Sequence, residues 1–342
     1  MLALATGLAL APILASPSAA TTACDGLDRP VVFAGLDWDS AAFNNAVAMF
    51  MIEHGYGCET DSIPGSTIPL FNGLIRGDVD IYMEAWIPNI KDAWDAATAD
   101  GTVSSIGVSY PDATQAWFVP RYMVEGDDAP APDLKSVTDL PKYADLFRDP
   151  EEPEKGRFYN CILGWGCEVM NTKKLIAYGL TEEFTNFRPG TGGALAAAIE
   201  SSILRQRPIF FYYWGPTWVL GKVSDDIVTL EEPPYDETTW QALADTAIDD
   251  VKSGTAATAW PTVAVDIAST PEFIEAAPTI VKFFGNFALN ADIISKSLAY
   301  MQDNSANADE AAVNWLKNNK DVWGGWVDDD VAKRIESALA SS

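Results

Sequence analysis

Histidine is almost missing from this chain of 342 residues: His54 is the only one. Cysteine is scarce too, with four copies, none of them in a Cys-x-x-Cys pair. Zinc sites draw on clustered thiolates and imidazoles, so neither a metal nor a metal-dependent reaction is expected. The same shortages leave few general bases or nucleophiles for neutral pH. No Gly-x-Ser-x-Gly elbow or phosphate-cradling loop appears, and Gly190-Thr191-Gly192-Gly193 reads as a helix start. Positive charge is the third shortage: 22 Lys and Arg face 49 Asp and Glu, a formal net charge of −27. With no basic stripe to neutralise phosphates, nucleic acid is not an expected partner. Beyond residue 20 no uncharged apolar run reaches membrane-spanning length. The composition calls for no cofactor. The catalytic alternative left open is a hydrolase built on paired carboxylates.

Residues 1–20 are small and apolar and end Ala15-Ser16-Pro17-Ser18-Ala19-Ala20. They read as a secretory signal peptide cleaved near Ala20, with Pro12 and Pro17 arguing against a membrane helix. In an exported chain four cysteines suggest two bridges, and three pairings are possible. Cys161 and Cys167 are near in sequence and frame a Gly-rich loop, so they are paired here. Cys24 then pairs with Cys58, which requires the chain before the first strand to lie beside the second. The remaining length, about 320 residues, exceeds one ordinary domain and suits two lobes.

The apolar run 30–36 reads as a buried parallel strand, followed by a helix over 41–54 that Asp39-Ser40 would cap. A strand near 58–63, a helix over 68–77 and a strand over 80–86 complete a β-α-β-α-β alternation. That order argues for an α/β lobe with right-handed crossovers. A strand over 115–124 is expected to carry the chain out of this lobe, before an acidic, Pro-rich stretch at 125–134. Alternation resumes from Phe158: a strand, a turn at Gly164-Trp165-Gly166, helices over 169–178 and 194–205, and a strand over 208–213. A helix near 239–251 and a strand over 263–267 follow, and 271–340 is mostly helical. The expected layout is a first lobe at 21–118, a second at 119–257, and a return to the first at 258–342. The class is α/β, with a ligand cleft between the lobes.

The chain is rich in tryptophan, with twelve copies. In α/β lobes ligands gather at the carboxyl ends of strands. Trp38 and Trp86 each follow an expected strand there. Trp165 lies in the Cys-framed loop, and Trp214 ends an apolar strand at a Gly-Pro break. The other eight (Trp94, Trp117, Trp218, Trp240, Trp260, Trp315, Trp323 and Trp326) have helical, hinge or terminal settings, where core packing is the simpler explanation. Several converging indoles suit a cation without strong hydrogen-bond donors, which is a methylated ammonium group. Each contact is worth roughly 0.5–2 kcal/mol. Three or four of them with apolar burial approach the ~8 kcal/mol of micromolar binding. Gly166 and Cys167, opening a helix, would present backbone N–H groups to an anionic oxygen. Strand alternation puts Glu84 on the same face as Trp86, with Tyr82 further back, so Glu84 could balance the ligand's charge. Indoles also stack on sugars, the main alternative, but the Trp-bearing motifs are poor in the Asp, Asn and Arg that sugar hydroxyls need.

Chain order and three motifs resemble the substrate-binding proteins of glycine betaine/proline-type ABC transporters. The motifs are Gly164-Trp165-Gly166-Cys167-Glu168 with Cys161 upstream, Phe211–Trp218, and Glu84-Ala85-Trp86-Ile87-Pro88. The resemblance covers nearly all of the chain after residue 20. It implies a two-lobed periplasmic binding protein of the type II-like class, acting as a monomer and delivering a small methylated ammonium ligand to a membrane ABC permease. It maps the family's indole box onto Trp86, Trp165 and Trp214, to which Trp38 is added as a fourth wall, and the family disulfide onto Cys161–Cys167. Where a glycine betaine-binding relative places a His four residues after the first box Trp, this chain has Ile90, preceded by Asn89. The Asp-rich loop of that relative, ahead of the Trp loop, is replaced by Asp149–Lys155. A missing carboxylate donor beside Glu84 shifts the expected ligand from glycine betaine towards choline or, preferentially, trimethylamine N-oxide.

Overall fold

In a computed structural model of the protein, residues 23–342 are described, so the expected signal segment lies outside them. The first lobe winds through β1 (Val31–Leu36), α1 (Asp39–Met51), β2 (Thr60–Gly65), α2 (Thr67–Arg76), β3 (Ile81–Ala85) and α3 (Lys91–Ala99). Strand β1 lies between β2 and β3 and runs parallel to both. Its residues are apolar on both faces because helices cover both. Phe33 packs with Phe43, Val47 and Met51 of α1 on one side. Ala34 and Leu36 pack with Leu70, Phe71 and Leu74 of α2 on the other.

Strand β4 (Ser104–Pro120) leaves this lobe and turns into the short helix α4 (Arg121–Val124). The second lobe comprises β5 (Gly156–Tyr159), α5 (Gly166–Ala177), β6 (Phe184–Phe187), α6 (Gly192–Leu204), β7 (Phe210–Gly215), α7 (Trp218–Val223), β8 (Ile227–Thr229) and α8 (Glu237–Asp245). The chain returns through β9 (Val263–Ser269) and the helices α9 (Pro271–Ala276), α10 (Pro278–Asn286), α11 (Ala291–Asn304), α12 (Ala308–Asn318), α13 (Lys320–Trp323) and α14 (Asp329–Leu339). The sheet order is β2-β1-β3-β9-β4-β7-β5-β6, with β8 also on β4. One long strand therefore serves both lobes. Ala113 of β4 pairs with Val263 of β9, and the next residue, Thr114, pairs with Gly215 of β7.

The two-lobed α/β class expected from the alternation is present, with local corrections. The strand expected over 115–124 is the far half of β4, and Arg121–Val124 is helical instead. Helix α1 begins at Asp39 with Trp38 as its N-cap, and neither Asp39 nor Ser40 caps it. The helix expected near 239–251 ends at Asp245. Strands β6 and β8 were not anticipated, being only four and three residues long.

Both expected disulfides form. Cys24–Cys58 ties the segment before β1 to the approach to β2, and Cys161–Cys167 closes the loop ahead of α5. The returning helices pack on α1, where Phe43 meets Trp315 edge-on at 6.2 Å. In the second lobe Lys174 is fully buried and ion-paired with Glu232 at 2.6 Å. Its ammonium lies 5.1–5.9 Å from the ring centres of Trp117, Trp240 and Trp260. Burial pushes its pKa down, against the opposing pull of Glu232. Three of the indoles assigned to core packing thus enclose the protein's own cation.

Candidate functional site

Because β1 and β3 are parallel neighbours, their carboxyl ends open on the same edge. Trp38 follows the first and Trp86 the second. From the other lobe, Trp165 is the N-cap residue of α5 and Trp214 the penultimate residue of β7. All four line one cavity of about 30 Å³ between the lobes. Trp165 meets Trp38 edge-on at 5.7 Å and Trp214 edge-on at 5.1 Å, so the rings bound a corner rather than a stack. Gly166 and Cys167 also line the cavity, at the start of α5, where the first N–H groups of a helix lack intrahelical acceptors.

Two glycines make this approach possible. Gly164 sits at φ +94°, a conformation that side-chain-bearing residues avoid, and its carbonyl accepts from the Ile68 amide across the cleft at 3.2 Å. A Cβ on Gly166 would lie 2.4 Å from the Asn89 carbonyl oxygen.

Glu84 stands one layer behind the cavity and is not among its lining residues. Its Oε2 accepts from the indole nitrogens of Trp38 at 2.7 Å and Trp86 at 3.1 Å, from Tyr110 at 2.9 Å and from Ser40 at 3.2 Å. Its Oε1 accepts from the Asn44 amide at 2.7 Å. Burial pushes this carboxyl above its ordinary pKa, and the indole and hydroxyl donors pull it back. The structure thus places the charge against the edges of two indoles rather than in the cavity. A register shift in the β3–β9 pairing between Tyr82 and Ala85 also breaks simple alternation. Tyr82 consequently packs in the opposite core, edge-on to Phe71, with its hydroxyl donating to the Thr67 carbonyl.

Three polar residues in the cavity wall were not anticipated: Thr67, Asn89 and Tyr212. Asn89 and Gln115 exchange amide hydrogen bonds at 3.0 and 3.1 Å, and the Tyr212 hydroxyl donates to Gln115 at 2.6 Å. Gln115 lies just beyond the point where β4 changes partners, so this cluster joins both lobes to the shared strand. Tyr212 was findable, since it precedes Trp214 by two positions on one strand and the two rings stack at 6.4 Å. Thr67 had no local signal, because only the tertiary fold brings the start of α2 here. Among the described residues, no Lys, Arg or His lines the cavity. Among the described residues, no group of His, Cys, Asp or Glu is arranged to hold a metal ion.

Residues 29–318 match the family described as the substrate binding domain of the ABC-type glycine betaine transport system. The chain belongs to this family. It is similar to the glycine betaine/proline betaine-binding periplasmic protein of Escherichia coli K12, with 27% identity over 77% of this chain and 78% of the relative. It is also similar to the trimethylamine N-oxide-binding protein of Pelagibacter ubique HTCC1062, with 21% identity over 86% of this chain and 90% of that protein. Among solved structures, an ABC-transporter choline binding protein in complex with choline superposes with a TM-score of 0.70 at 16% identity, covering 91% of this chain and 98% of that one. Lactococcal OpuAC in its closed, glycine betaine-bound form gives 0.67 at 18% identity, covering 88% and 100%. These two structures share the two-lobed fold. The present chain is accordingly a substrate-binding protein of the quaternary ammonium class of ABC transporters.

Proposed function

We propose that Trp38, Trp86, Trp165 and Trp214 cage the methylated ammonium group of a small ligand, with trimethylamine N-oxide favoured over choline and glycine betaine. The observation that carries this reading is the convergence of four indoles from both lobes on a cavity whose lining, among the described residues, includes no cationic side chain. Indole faces attract a cation most strongly where water is excluded. Glu84 supplies the compensating charge through the Trp38 and Trp86 N–H groups rather than by contact.

The oxygen end of the ligand is assigned to the neutral residues of the cavity wall, Thr67, Asn89, Gly166 and Cys167, the last two at the start of α5. Asn89 and Tyr212 are already engaged with Gln115. An N-oxide oxygen sits one bond from the nitrogen and needs little beyond one or two such donors. A full carboxylate, further out, would have no cation to meet. The similarity to a trimethylamine N-oxide-binding protein supports the same preference. The arrangement also disfavours a sugar, whose hydroxyls require a denser polar wall.

Capture in the periplasm by a monomer, and presentation of the closed lobes to a membrane permease, complete the role. Closure is stabilised by the ligand's greater affinity for the closed state. Calorimetric titration of the purified protein against trimethylamine N-oxide, choline, glycine betaine, carnitine and maltose tests it. Tightest binding by trimethylamine N-oxide is expected. Glycine betaine binding far more tightly would overturn the preference, and binding of maltose alone would overturn the cage.

A further inference from the structure

The turn from β1 to α1 carries Asp37, Trp38 and Asp39, and both carboxylates reach the opposite lobe. The Trp165 indole donates to Asp37 Oδ1 at 2.6 Å, and the Trp218 indole donates to Asp39 Oδ2 at 3.2 Å. Trp38, between them, has its own N–H held by Glu84. Three consecutive side chains are thus committed to indole hydrogen bonds, two of them across the cleft. A second cavity of about 170 Å³ shares the walls Trp38, Trp165 and Trp214 with the first and is bounded by Asp37, Asp39 and Trp218. Trp218 does not line the first cavity.

We propose that Asp37-Trp38-Asp39 is an inter-lobe clasp, in which Asp37 and Asp39 are positioning residues that set how slowly ligand leaves. The inference rests on the ligand occupying the cavity between the lobes, as proposed above. An N–H donated to a carboxylate is stronger than a neutral hydrogen bond, and these two require the lobes to be closed. Opening breaks both, so the clasp deepens the closed state without touching the ligand. It acts on dissociation, because the open state that captures ligand has no clasp to lose. Asp37 also fixes the ring plane of Trp165, which walls the ligand cavity. Asp39 and Trp218 contribute closure alone, and that separation makes the idea testable.

Stopped-flow tryptophan fluorescence with trimethylamine N-oxide as the probe reads association and dissociation separately. Asp39→Ala and Trp218→Phe are each expected to raise the dissociation rate about tenfold while association stays within about twofold. The double variant should be no faster than either single one, and Asp39→Asn, which keeps an acceptor oxygen, should recover most of the loss. Additive effects, or a change confined to association, would overturn the clasp. If trimethylamine N-oxide does not bind, choline and glycine betaine serve as probes in turn. Should none bind, the proposed ligand class fails, and the clasp is decided on ligand-free protein, where the two bonds mark the closed form seen in the structure, by indole N–H resonances in nitrogen-15 NMR. Asp37→Ala should then move the Trp165 signal upfield and Asp39→Ala that of Trp218. Signals that stay in place would overturn it.

Discussion

The indole nitrogen of Trp38 donates to Glu84 Oε2 at 2.7 Å. This bond couples the electronics of a cavity wall to the ionisation of a buried acid. Burial holds the Glu84 carboxyl above the ordinary carboxylate range, with the Trp38, Trp86, Tyr110 and Ser40 donors opposing the shift. A cation in the cavity favours the charged form. Affinity should therefore fall as pH drops through the raised pKa, and binding in that window should release a proton. Above the window affinity should be flat. Calorimetry in two buffers of different ionisation enthalpy measures the proton count. Glu84→Gln should abolish the released proton and weaken binding about tenfold, of the order expected for losing a charge-assisted hydrogen-bond network. A proton count unchanged in Glu84→Gln would assign the linkage to another group, such as Asp39, whose carboxyl is also raised by burial. In the ligand-free protein the sign for stability is the reverse of a paired surface carboxylate. Ionised Glu84 weakens the fold above its raised pKa, and the penalty is relieved as pH falls towards the unfolded value.

Trp165 meets both Trp38 and Trp214 edge-on and is the N-cap residue of α5. Trp165→Ala removes one cation–π face and the apolar area behind it, together about 3 kcal/mol. Affinity should drop by about 100-fold, with far-ultraviolet circular dichroism unchanged. Retained affinity would remove Trp165 from the site.

Reduction of the Cys161–Cys167 loop separates positioning from folding. The bridge closes a six-residue span in the second lobe, while Cys24–Cys58 lies in the first, and Trp165 falls within that span. The double variant Cys161→Ser/Cys167→Ser should stay folded yet bind about tenfold more weakly, because Trp165 must be ordered at the moment of binding. Equal affinity in titration calorimetry would show that the Gly164–Ile68 and Trp165–Asp37 bonds suffice to place the indole.

Lys174 tests the second lobe's interior. Replacing it with Met leaves Glu232 buried with, among the described residues, the Tyr178 hydroxyl as its remaining side-chain donor. Breaking such a pair from one side costs about 3–5 kcal/mol, whereas Lys174→Met/Glu232→Gln should recover much of that. Urea denaturation of the parent and the two variants measures both. A single variant as stable as the parent would mean that the indoles, and not the ion pair, hold this core.

The sequence made the alternating elements and the four cavity indoles legible because both depend on local signals. Strand ends in parallel lobes lie where ligands bind, and Trp38, Trp86, Trp165 and Trp214 fall at such ends or turns. Features set by long-range pairing were hidden. The partner exchange of β4 at Ala113 and Thr114 has no mark in composition, and short strands such as β8 form only because β4 is already there. The register shift in β3 changed the face of Tyr82, which regular alternation had placed with Glu84. Glu84 lies beside Trp86, as alternation implies, but behind the cavity wall. Its many donors come from α1, β4 and both indoles, and a one-dimensional reading cannot see them gather. The cross-cleft roles of Asp37 and Asp39 were equally invisible, because their partners lie 128 and 179 residues away.

A crystal structure of the protein with trimethylamine N-oxide bound tests the central claim most directly. The expected complex has the ligand nitrogen within about 6 Å of ring centres from both lobes, Trp38 or Trp86 on one side and Trp165 or Trp214 on the other. A ligand nitrogen that contacts indoles of one lobe only, or that lies outside this cavity, would contradict it.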